Sequence, residues 1–417
     1  MTQVLDSFFS DKHYDIRKTG NGRWIDQKCT YDVVSFVADC ICYYLENGGT
    51  EPLQSTTIWR SDYAVKYVQD VFGKPYPLDE ESHDEFNKFY RQPMKMLAAA
   101  GVLEESGRVN NTIQYVVLRK DVLEYLALRP WHTEQFLETY IEKTLRDSGL
   151  WNCFDTFFKT GTRDSFEAVK STFERFCYAY TPIKNKKETG RIFSKVLNPL
   201  AFKNKAHGTA DGHLSPSIIT LSDLTYNRPN FRDEATNKDK NIARRSYVNI
   251  VGDSCATRDY IIAKQARLLK QFNSEYRSSH SEVVDELAMG VSASQAHHIF
   301  PKSRFPEIAD YLENLIMLTS SQHYEKAHPN GNTQAIDPGY QYSCLMHKVK
   351  SIKENLENEI GIPKIYDLEK LKRVLDVGFE TDYFEMIDFD NYEAIGEGIR
   401  VQYAPAAIAT YTPIRFD

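Results

Sequence analysis

A chain of 417 residues with 41% hydrophobic, 13% aromatic and 26% charged residues has the composition of a folded protein, long enough for two or three domains. That excludes a disordered or low-complexity chain, and no stretch approaches the ~20 apolar residues that span a bilayer. The net charge of −7 argues at first against a nucleic-acid partner.

Met1–Asp11 carries acidic residues and no long apolar run, so no signal peptide is expected. The seven cysteines are scattered without a CxxC pair, the pattern of reduced thiols, and a cytoplasmic protein is expected. Cys40 and Cys42 fall inside an apolar helical run and read as core.

The first 150 residues read as mostly helical. Tyr31–Leu45 places apolar residues at helical period and stops at Asn47-Gly48-Gly49. Ser61 can cap a helix from Asp62 to about Val71. A third helix has Asp84 and Glu85 in its first turn and ends at Gly101; Pro93 within it predicts a kink or a later start. Two strands joined around Gly107–Asn111 follow. Three helices and a hairpin, with the junction LAAAGVLEES, resemble the winged-helix family. The resemblance implies a domain over residues 1–150 that contacts DNA or serves as a protein-interaction module.

Residues 151–285 open with the helical DSFEAVKSTFERFCYAY and change character at Thr181-Pro182. From Lys184 to Ile250, thirteen Lys and Arg stand against six Asp and Glu, so the rest of the chain carries about −14. Such asymmetry is the footprint of a face that neutralises phosphates, although a solvated basic loop has the same composition. Read as a recognition segment anchored by Ile192, Phe193, Val196, Leu197, Ile218 and Ile219, it offers Lys184, Lys186, Lys187, Arg191, Lys203, Lys205, Arg228, Arg232, Arg244 and Arg245 as DNA contacts. A basic helix around Tyr260–Tyr276 extends it.

Four of the eleven histidines lie between His297 and His328. Ala296–Phe300 reads as a short strand ended by Pro301, and adjacent His297 and His298 on a strand point to opposite faces. Leu315–Leu318 gives a second strand. Thr319-Ser320-Ser321-Gln322 has the form of a capping box, opening a helix with His323 in its first turns, and His328-Pro329 ends it. Helices at Tyr342–Glu359 and Leu368–Val377 and an acidic, aromatic tail suited to packing or dimer contacts complete the chain. No Walker A pattern is present, so no nucleotide cofactor is expected.

The sequences HHIFP and NLIMLTSSQH, with His323 nine residues after Asn314, resemble the HNH, or ββα-metal, nuclease family. The match covers about Ala296–Pro329, under a tenth of the chain. It implies that His297 and His323 hold a divalent metal, Mg²⁺ or alternatively Mn²⁺ or another divalent ion, that His298 is the general base, and that Asn314 holds the base's loop. Thr319 and Gln322 stand where many members carry zinc-binding cysteines, so no structural zinc ribbon is expected and hydrophobic packing must hold the fold. His328 lies about 140° from His323 round an ideal α-helix and can join as a ligand only if the helix ends first. A phosphate or structural contact is its competing role. Lys302, Arg304 and Lys326 can contact the scissile backbone or be merely solvated.

The expectation is an α+β protein with a winged-helix-like domain (1–150), a mixed basic region (151–285), a ββα-metal module (286–350) and a helical, acidic tail (351–417). The resemblance implies a restriction endonuclease acting on double-stranded DNA, as a homodimer. Alternatives are a modification-dependent, phage-defence or homing nuclease, and a DNA-binding regulator with a degenerate catalytic module.

Overall fold

A computed structural model describes residues 3–72, 74–226, 255–328, 336–358, 361–388, 390–411, 414 and 416. The fold is α+β and divides into two compact units, Met1–Gly252 and Asp253–Asp417.

In the first unit, helix α1 (Tyr31–Glu46) buries every residue from Val33 to Cys42, which places Cys40 and Cys42 in the core. Strand β1 (Leu53–Gln54), helix α2 (Asp62–Phe72) and helix α3 (His83–Ala100) follow, then β2 (Leu103–Val109) and β3 (Thr112–Val117). The strands form an antiparallel sheet in the order β1-β3-β2. Asn110 and Asn111 turn the hairpin at φ 47° and 62°, the left-handed pair that a tight two-residue hairpin demands and that asparagine tolerates. Helix α3 begins at His83 and runs through Pro93, so the later start does not occur. Proline removes one backbone donor, but Pro93 is buried with Phe89, Tyr90, Met94 and Leu97, and that packing holds the helix together.

The boundary expected at residue 150 is not a boundary of the fold. Helix α4 (Lys120–Leu128) packs on α1, and α5 (Pro130–Asp147) packs on both α6 (Trp151–Thr160) and α8 (Lys186–Lys203). One core therefore continues from α1 through α7 (Arg163–Tyr180) to α8. Within it Glu134 is buried, with both carboxylate oxygens lacking a hydrogen-bond partner. Burial first, then the nearby Glu138 and Asp32, push its carboxyl up to about 8, so it is protonated at neutral pH.

The first part of the expected recognition segment, Lys186–Lys203, is a packing helix. Helix α8 buries Ile192, Phe193, Val196, Leu197, Leu200 and Ala201. Lys184, Lys186 and Lys187 are exposed at its amino end, Arg191 is half-buried, and Lys203 and Lys205 are exposed at its far end. An 18-residue helix separates the two groups by about 27 Å, so they form no single patch. Lys203 pairs with Glu142 at 2.8 Å, and Lys184 donates to the Tyr178 carbonyl. Arg228, Arg232, Arg244 and Arg245 lie outside the described residues.

The first unit also holds an antiparallel hairpin of β4 (His207–Ala210) and β5 (His213–Ile218). The second unit is built on α9 (Cys255–Tyr276), the antiparallel pair β6 (Gln295–His298) and β7 (Leu315–Leu318), a π-helix over Gln322–Ala327, and helices α10 (Pro338–Glu357) and α11 (Leu368–Phe379). All four residues of β7 are buried. The division expected at residue 350 is absent here too. Phe300 packs edge-on against Phe379 at 5.2 Å, and a Cβ added at Gly378 would sit 2.4 Å from the Phe300 ring. A glycine there lets α11 press on the loop after β6. Among the described residues no helix is long and apolar enough to cross a membrane, and Cys29, Cys40, Cys42, Cys153, Cys177 and Cys344 are reduced thiols.

Candidate metal centre

The β6–β7 register sets His297 opposite Ile316 and His298 opposite Leu315. Alternation along β6 gives the two histidines different surroundings: His297 is buried, whereas His298 is only half-buried. His297, His323 and His328 converge, each offering one ring nitrogen, with these atoms within 4.8 Å of one another. Their rings meet edge-on, with centroids 5.2 Å (297–323), 5.0 Å (297–328) and 4.8 Å (323–328) apart.

His328 meets the condition under which it can join the cluster, because the helix ends before it. On an α-helix it would point away from His323. The segment Gln322–Ala327 instead winds as a π-helix, whose i→i+5 hydrogen bonding stacks residues five apart on one face. His328 itself is extended, at φ −119° and ψ 92°, and turns back into the cluster at the helix end. The helix both changes pitch and stops, and a third imidazole joins the two that the resemblance implied.

Burial, and then the neighbouring imidazoles, hold His297 well below the ordinary histidine range; burial and then His328 lower His323. Neutral imidazoles are the form that binds a cation. His323 Nδ1 is buried without a hydrogen-bond partner. An orphaned nitrogen beside two more convergent imidazoles fits a metal ion, which would satisfy it.

His298 has a different environment. Its Nε2 lies 2.9 Å from the Ala309 carbonyl oxygen, which can only accept, so the proton sits on Nε2 and Nδ1 keeps its lone pair. Burial, and to a smaller extent Lys302, holds this imidazole below its ordinary range, against the opposing pull of the Ala309 bond. It is therefore a neutral base at pH 7.

Asn314 is fully buried. Its side-chain oxygen accepts from Phe300 N at 2.8 Å, while its amide donates to Phe300 O at 3.0 Å and Ile308 O at 3.3 Å. It thereby clasps both ends of the loop that carries the Ala309 carbonyl.

Thr319 and Gln322 form the reciprocal capping contact. Gln322 N donates to Thr319 Oγ1 at 3.2 Å and Thr319 N donates to Gln322 Oε1 at 3.0 Å. Polar interactions therefore supplement hydrophobic packing where no zinc ribbon was expected. A larger polar network lies nearby and had no local signal in the sequence. Glu282, wholly buried, accepts from Lys348 Nζ at 2.8 and 2.9 Å and Met317 N at 2.9 Å, and forms an ion pair with Arg277 at 2.9 Å. Burial alone would raise its carboxyl, but Lys348 and Arg277 override this and hold it at about 2.

The expected backbone contacts are partly engaged. Lys302 is exposed, Arg304 pairs with Glu380 at 3.1 Å, and Lys326 pairs with Glu286. Surface pairs of this kind contribute little to stability.

Comparison with protein families, curated proteins and solved structures finds no match. The functional reading of the chain therefore stands on this geometry and on the spacing of its motifs.

Proposed function

We propose that the protein is a metal-dependent endonuclease of the HNH class that hydrolyses phosphodiester bonds in double-stranded DNA at a specific sequence. The observation that carries the reading is the convergence of His297, His323 and His328 next to His298, whose tautomer is fixed by the Ala309 carbonyl. A bound divalent cation would stabilise charge on the phosphoryl and leaving oxygens. His298 Nδ1 takes the proton of the attacking water, while Asn314 keeps the Ala309 loop, and so the base, in place. The products are a 5′-phosphate and a 3′-hydroxyl.

Three imidazoles suit a borderline-soft ion such as Mn²⁺, Co²⁺, Ni²⁺ or Zn²⁺ better than Mg²⁺, which prefers oxygen donors. Duplex binding by the first unit draws support from α3, the helix immediately before the hairpin, on which Lys88 and Arg91 are exposed and Lys95 half-exposed at spacings of three and four. One catalytic centre per chain fits a homodimer that cuts both strands.

Digestion of a defined genome, with and without methylation, followed by sequencing of the ends tests the reading. Breaks at one recurring sequence, with 5′-phosphate ends, are expected on unmodified DNA. Breaks confined to methylated DNA would move the assignment to a modification-dependent nuclease. Binding without breaks in any of the four ions would favour a regulator.

A further inference from the structure

The metal helix is short and π-wound, a geometry seen mostly as single turns at functional sites, so something outside it must fix its first turn. Gln322 is the residue placed to do so. It is fully buried, immediately before His323, and all its side-chain bonds lead away from the metal cluster. Oε1 accepts from Thr319 N at 3.0 Å and Ser281 Oγ at 2.6 Å; Nε2 donates to Val283 O at 2.9 Å and Asp285 Oδ1 at 2.8 Å. Both acceptor and both donor positions of the amide are used.

The far end of these bonds is itself anchored. Ser281, Val283 and Asp285 flank Glu282, which is locked by Lys348, Arg277 and the β7 amide of Met317. Thr319 Oγ1 also donates to Leu287 O at 3.2 Å, a second tie between the helix start and the same segment. The chain from Glu282 through Gln322 to His323 is continuous and buried at its first two members.

We infer that Gln322 is a positioning residue for the metal centre: its amide lashes the π-helix to the Ser281–Leu287 segment and thereby sets where His323 meets His297 and His328. This rests on the three-histidine reading of the site. Residues that orient metal ligands typically contribute 10–100-fold to metal affinity.

The test is Co²⁺ binding to the full-length, metal-stripped protein, followed by visible absorption, with far-UV circular dichroism and melting measured alongside. Gln322→Glu keeps the acceptor contacts to Thr319 N and Ser281 Oγ but loses both donations and faces the Asp285 carboxylate. Its Co²⁺ affinity is expected to fall at least about 10-fold. Combining it with Asp285→Asn reverses the amide–carboxylate pair and is expected to recover much of that loss, a rescue that nonspecific destabilisation would not show. Ser281→Ala removes one donor and is expected to weaken Co²⁺ about threefold.

A folded Gln322→Glu protein with wild-type Co²⁺ affinity overturns the inference. Should that variant not fold, Ser281→Ala decides, and affinity unchanged within twofold overturns it. Failure of the wild type itself to bind Co²⁺ contradicts the three-histidine reading, and the inference falls with it.

Discussion

His298→Ala is expected to lower the rate of DNA cleavage about 10²–10⁴-fold while changing metal affinity and duplex affinity by no more than a few-fold. The separation follows from the strand. His297 joins the imidazole cluster, whereas its neighbour His298 is tied through Nε2 to Ala309 and contributes no nitrogen to that cluster. Removing the base leaves the three converging imidazoles in place. Single-turnover cleavage by wild type and variant, with Co²⁺ binding measured on both, checks it. A small diffusible imidazole is expected to restore part of the lost rate. Cleavage by His298→Ala at the parental rate would show that the base lies elsewhere.

Glu282→Gln is expected to destabilise the second unit by about 3–5 kcal/mol at neutral pH, a fall of roughly 10 °C in its melting temperature. The substitution leaves Lys348 wholly buried and Arg277 mostly buried without their carboxylate. The sign with pH follows from the carboxyl's displacement from 4.5 to about 2 on folding. Its stabilisation is complete above pH 4.5 and is lost as pH falls toward 2. Wild type and variant should therefore differ most at neutral pH and draw together in acid. Thermal melting across that range measures it; equal stability at pH 7 would show that the network holds nothing together.

Helix α1 and the hairpin of β2 and β3 were legible because their causes are local. Apolar period and an Asn-Gly-Gly stop bound the helix, and Asn110 and Asn111 supply the left-handed turn. The pairing of His297 and His323 was legible because strand, strand and helix follow within about thirty residues. His328 was legible only in part: the end of the helix before Pro329 could be read, but the π winding could not, since the spacing does not encode that pitch. Glu282 and Lys348 lie 66 residues apart and meet only in the folded unit. The basic stretch from Lys184 was less legible for a different reason. Counting charges gives the balance of a segment, but α8 is held by its buried apolar face and spreads Lys186, Lys187, Lys195 and Lys203 along its whole length.

The central claim is that three histidines hold the ion on which phosphodiester hydrolysis depends. Metal-stripped wild type and His328→Ala, each assayed on duplex DNA as Mn²⁺, Co²⁺ or Zn²⁺ is returned, test it most directly. Wild-type cleavage should vanish on stripping and return with metal, and His328→Ala should need at least about 10-fold more metal or stay inactive. Cleavage that survives stripping, or a variant restored at the same metal concentration as wild type, would contradict it.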